Sequence, residues 1–150
     1  MKETIEKNQK LTLKAEEYFQ TIPTESLENK SAPHKWSKKE ILGHLIDSGI
    51  NNLQRFTEIE FEQKPFPIRR YSQNELVIAN DYQNAEIKEI LTFWLAINRR
   101  IESVMARQTP ESLSYEVLID GVQKETLEFL MKDYVKHLEH HLFQIFGEKE

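Results

Sequence analysis

Apolar residues recur every three or four positions along four stretches of the chain, and each stretch predicts an amphipathic helix. Residues 3–20 carry Leu11, Ala15, Tyr18 and Phe19 in phase, with Ile22 just beyond. A second helix is expected from about Lys38 to Phe61, with Ile41, Leu45, Leu53 and Phe56 inward. A third covers about Ala85–Gln108, with Ile87, Ile90, Leu91, Trp94, Ile97, Ile101, Val104 and Met105 on one face. The last runs from about Leu127 to Phe146 on Leu127, Leu130, Tyr134, Leu138, Leu142 and Ile145. Gly147 follows as its stop.

Local signals punctuate this pattern. Ser37 to Glu40 reads S-K-K-E, a capping box that opens the second helix, with Trp36 and Ile41 placed as a hydrophobic staple. The stretch TIPTESLENKSAPHKW is a connection with two prolines, and two further prolines in EQKPFPIRRYSQNE break the chain after the second helix. SQNE repeats the capping pattern, so a short helix over Asn74–Ala79 is expected, and TPES ends the third long helix. YEVLIDGVQKET reads as a hairpin around Asp120–Gly121, too small to found a sheet domain by itself. The predicted fold is all-α. It is a four-helix bundle with one or two long crossovers and a small hairpin-like insert before the last helix, spanning 1–150 as one domain.

Composition changes this picture mainly by exclusion. A formal net charge of -5 and the lack of a basic stripe argue against a nucleic-acid partner. No apolar run approaches a membrane span of roughly 20 residues, and no N-terminal apolar run follows MKETIEKNQK, so a cytoplasmic protein without membrane contact is expected. With no cysteine, a metal site must draw on His, Asp, Glu or water.

Three of the five histidines lie in KHLEHH, within the last helix. Residues four apart share a helix face, so His137 and His141 point together, beside the apolar arc. His140 falls farther round, near Lys136 and Phe143. Two imidazoles at i,i+4 can chelate one divalent ion but need a third ligand. His44, on the inward side of the second helix, is the natural one. His44, Asp47, Ser48, Asn51 and Arg55 follow three- and four-residue steps as a polar column, which fits a cavity between helices. Asp47 or Asp133 could accept an imidazole N–H or act as a base, and Arg55 could clamp an anionic part of a substrate. The Arg69–Arg70–Tyr71 run could cover the cavity mouth. His34, beside Pro33 in a loop, is given no role. Beside these readings stand plainer ones: an exposed histidine-rich face, a hydrogen-bonded core histidine at 44, an ion pair at Arg55 and a solvated loop at 69–71.

WSKKEILGHLIDSGINNLQRF, followed near the C-terminus by YVKHLEHHLFQI, resembles the DinB/YfiT-like metalloenzyme superfamily. The resemblance covers nearly the whole chain. It implies a four-helix bundle and metal ligands at His44, His137 and His141, with His140 beside them. Some members look like hydrolases and others like transferases that use a low-molecular-weight thiol. The resulting expectation is a small-molecule enzyme with a divalent metal: zinc or nickel first, then iron or manganese. Asp47 and Arg55 are its candidate catalytic residues. The competing expectation is a non-catalytic helical module that binds a small molecule or forms a homodimer.

Overall fold

The computed structural model describes residues 1–147. Its four long helices are α1 (Lys2–Thr21), α3 (Lys38–Glu58), α5 (Ile87–Ala106) and α7 (Leu127–Phe146). Three short helices lie between them: α2 (Thr24–Glu28), α4 (Gln73–Ala79) and α6 (Pro110–Leu113). α1 packs on α5 and α7, and α3 packs on the same two, so the order around the bundle is α1-α5-α3-α7. Consecutive long helices are therefore diagonal twice. The connection after α1 and the connection after α5 both cross the bundle end.

The expected apolar faces meet at the centre. Leu45, Phe56, Trp94, Ile101, Leu127, Leu138, Leu142 and Ile145 are fully buried, each contributing about 1.5–3 kcal/mol when a large aliphatic or aromatic side chain leaves water. α3 starts at its capping box, with Ser37 Oγ accepting from the Glu40 N–H and Glu40 Oε2 accepting from the Ser37 N–H. Gly147 ends α7 in the left-handed region at φ 73°. No helix among the described residues is long and apolar enough to cross a membrane.

Three local expectations need correction. Ser72 makes no side-chain cap for α4, so SQNE is not a capping box. TPES does not merely end a helix: Thr109 caps the new turn α6. The hairpin, β2 (Glu116–Ile119) and β3 (Gln123–Thr126), is not isolated, because β1 (Phe66–Ile68) pairs in parallel with β2. The two prolines around Phe66 hide that strand from pattern reading. It tolerates Pro67 because it is an edge. The sheet ties the loop after α3 to the entry of α7, and its Ile68 and Ile119 line a cavity that His137 also lines.

Candidate metal centre

α3 and α7 are neighbours, and their packing sets the site. On α3, residues 41–49 are buried without a break, including the polar His44, Asp47 and Ser48. On α7, His137 and His141 sit one turn apart, half-buried beside the buried Tyr134, Leu138 and Leu142. The three imidazoles converge. His44 Nε2 lies 3.2 Å from His137 Nε2, and one ring nitrogen from each of His44, His137 and His141 lies within 4.8 Å of the others. Ring centroids are 5.1 Å apart for His44–His137, 4.6 Å for His44–His141 and 4.5 Å for His137–His141, with interplanar angles of 72–73°. His140 is exposed, outside this trio, and its Nε2 accepts from the Gln144 amide.

The outer nitrogens show how the rings are held. His141 Nδ1 lies 3.0 Å from Gln144 Oε1, and an amide oxygen only accepts, so Nδ1 carries the proton. That tautomer leaves the His141 Nε2 lone pair free. Ser48 Oγ stands 3.5 Å from His137 Nδ1, a long contact. His44 Nδ1 is buried without a hydrogen-bond partner, and the Trp36 ring covers the imidazole at 4.9 Å and 32°. The sequence points to Asp47 or Asp133 for this orienting role; the contacts here are made by Gln144 at His141 and Ser48 at His137. Helical spacing carries the signal at Gln144, three residues after His141, whereas Ser48 meets His137 across two helices.

Burial dominates the electrostatics. It holds the His44 imidazole down at about 3, with the like charge of His141 and then His137 adding to the effect. It takes His137 to about 4, with His141 and His140 adding. His141 is lowered too, again mainly by burial, although its bond to Gln144 works the other way. All three are therefore neutral near pH 7, the form that donates a lone pair.

Asp47 faces elsewhere. Its Oδ1 accepts from the Tyr82 hydroxyl at 2.8 Å and from the Asn80 amide at 3.0 Å, while Oδ2 is buried without a partner. Burial raises its pKa, and the two hydrogen bonds oppose that rise. The Tyr82 ring lies flat against α3 at Gly43, where a Cβ would come within 2.1 Å of it. Asp47 thus fastens the turn after α4 to α3.

Three cavities among the described residues reach the histidines. One, of about 390 Å³, is lined by His137 together with Ser48, Asn52, Arg55, Tyr71, Asp133 and Tyr134. Arg70 and Asp120 also line it, and their side chains pair with each other, while Arg69 lines a different cavity. A second, of about 610 Å³, is lined by His141 with Gln144, Trp36, His34, Lys35 and Lys38. A third, of about 490 Å³, is lined by His137 and Asp133 with His140 and Phe143. Asp47 lines none of the three.

The donor set fits a divalent transition ion. Two nitrogens each about 2.1 Å from a tetrahedral ion are about 3.4 Å apart, close to the His44–His137 spacing of 3.2 Å. Three neutral imidazoles without a carboxylate suit zinc, nickel or iron better than calcium or magnesium. Without such an ion, His44 has a wholly buried ring with one nitrogen unpartnered and the other against a second imidazole.

Residues 5–145 match the DinB superfamily. Among solved structures, the chain is similar to YfiT from Bacillus subtilis, described as a probable metal-dependent hydrolase with an unusual four-helix bundle topology. That likeness has a TM-score of 0.86 and 21% identity, over 97% of this chain and 83% of that one. It is also similar to a mycothiol-dependent maleylpyruvate isomerase, with a TM-score of 0.76 and 11% identity. That match covers 96% of this chain but 60% of the isomerase. At these identities the likenesses establish the bundle fold. No curated protein matches the chain.

Proposed function

The chain belongs to the DinB superfamily, and from that premise we propose that it is a metal-dependent enzyme whose ion is held by His44, His137 and His141. The observation that carries this reading is the convergence of three neutral, buried or half-buried imidazoles on one point. When bound, the ion supplies Lewis acidity, favouring the deprotonated form of a water or a thiol. The rest falls to the protein. Gln144 fixes the His141 tautomer, and Ser48 steadies His137 from the far side of its ring. Trp36 shields His44 from water.

The reaction takes place in the cavity of about 390 Å³ that His137 shares with Ser48 and Arg55, which is large enough for a small molecule. Asp133, one turn before His137 on α7 and lining that cavity, takes the proton released by the nucleophile. It replaces Asp47, whose carboxylate is engaged by Tyr82 and Asn80. The reaction is a hydrolysis or the transfer of an external low-molecular-weight thiol, since the chain has no cysteine of its own.

Isothermal titration of the chelator-treated protein with zinc and with nickel tests the reading. One ion per chain is expected for the wild type and for His140→Ala. Binding is lost in His44→Ala and in His137→Ala, with helical content preserved. Stoichiometric binding retained in His44→Ala would overturn the three-ligand assignment.

A further inference from the structure

Arg55 lines the cavity, and the proposed metal chemistry gives it no task. It lies on α3, half-buried, two turns after Ser48. Its hydrogen bonds go to neutral oxygens only: Asn52 Oδ1 at 3.4 Å and the backbone carbonyl of Arg69. Its guanidinium also lies over the Tyr71 ring, 5.7 Å from the centroid. Among the described residues no carboxylate pairs with it. Burial works against its charge, lowering its pKa from the ordinary value. A half-buried cation without an anion beside it is costly, and an anionic ligand would supply the missing charge. The other arginine of the cavity, Arg70, makes the contrast: it is exposed and already joined to Asp120 through two hydrogen bonds.

Position makes the argument specific. Ser48, Asn52 and Arg55 form one stripe of α3, and all three line the cavity whose inner end is His137. Asn52 lies about 6 Å and Arg55 about 10 Å along the axis from Ser48, which touches His137. The guanidinium, folded back to Asn52, is therefore roughly 6–10 Å from the level of the histidines. Tyr71 and the Arg69 carbonyl hold its plane, while a guanidinium has five N–H donors and only two are used here.

We propose that Arg55 is a specificity-determining residue that binds the acidic group, a carboxylate or phosphate, of an elongated anionic substrate whose reacting end lies at the three histidines. This rests on the metal-enzyme reading for the reacting end only. The span equals two to three extended residues, so the substrate class is an acid of dipeptide size and not a two-carbon acid. Uncharged analogues lose the interaction.

The test uses nuclear magnetic resonance titrations of the metal-free and the zinc-loaded protein with glutarate and with its uncharged diamide. Glutarate is expected to shift the Arg55 Nε–H, Asn52 and Tyr71 signals in both forms, and the diamide is not. Arg55→Met should weaken glutarate binding at least tenfold, as loss of a charge-assisted pair does, while leaving zinc stoichiometry unchanged. Arg55→Lys restores charge without the planar fork and recovers part of the affinity. Glutarate shifts in a protein that takes up no zinc would sustain the anion site and sink the metal reading. Equal response to glutarate and diamide, or unchanged glutarate affinity in Arg55→Met, would overturn the anion site whatever the metal result.

Discussion

Replacing Asp47 separates a fastening role from a catalytic one. The side chain is 3% exposed, and its Oδ1 holds Tyr82 and Asn80. Asp47→Ala strands the buried Tyr82 hydroxyl, at about 1–3 kcal/mol, while the exposed Asn80 amide regains water. Removing a buried carboxylate with one unpartnered oxygen offsets part of that loss. The net cost is about 0.5–2 kcal/mol, or roughly 1–8 °C in Tm for a domain of this size. Asp47→Asn keeps the Oδ1 acceptor and removes the charge, so its stability stays within about 1 kcal/mol of the wild type.

The sign with pH follows from the raised pKa. The wild type gives up stability as pH rises through the folded pKa of Asp47, above the ordinary carboxylate value, so Asn gains on Asp from acid toward neutral pH. Urea unfolding at pH 4 and pH 7, followed by circular dichroism, reads both effects. Metal content and turnover should be unchanged in Asp47→Asn. A loss of about 10²-fold or more in turnover with stability intact, the mark of a removed general base, would refute the fastening role.

Other consequences can be checked separately. Metal-free protein should lose stability as pH falls below about 6.5, because unfolded histidines take up protons that native His44 and His137 refuse. The slope is up to about 1.4 kcal/mol per pH unit for each histidine, and His44→Gln should remove one such contribution. An acid limb unchanged by that substitution would contradict the account. Gly43→Ala drives a Cβ into the Tyr82 ring and should cost about 1–3 kcal/mol net of the helix gain. Gly49→Ala meets the Ile97 Cγ2 methyl at 2.7 Å, one branch of a stiff β-branched side chain rather than a ring, and should cost less than Gly43→Ala, about 1 kcal/mol. Equal midpoints for the two variants in urea would show that Tyr82 is not seated against α3.

Helix faces were legible in the sequence because the bundle buries stripes with the helical period: Ile90, Trp94, Ile97 and Ile101 on α5 could be read directly. The diagonal order was not, since the same faces suit several arrangements and contact between distant helices leaves no local trace. Phe66–Ile68 pairs with a segment 51 residues later in register, and its prolines speak against a strand. The histidine stripe on α7 was visible as i,i+4 spacing. What holds the rings was partly visible too, at Ser48 and Gln144, but carboxylates were the stronger chemical expectation. Asp47 turned away because Tyr82, delivered by the turn after α4, reaches α3 at Gly43, a contact no spacing rule encodes.

The most direct test of the metal-centre reading is anomalous diffraction at the zinc edge from crystals of the zinc-loaded protein. A single full-occupancy peak about 2.1 Å from one ring nitrogen of each of His44, His137 and His141 is the result expected. A peak on His140 or another surface group, or none between α3 and α7, would contradict it.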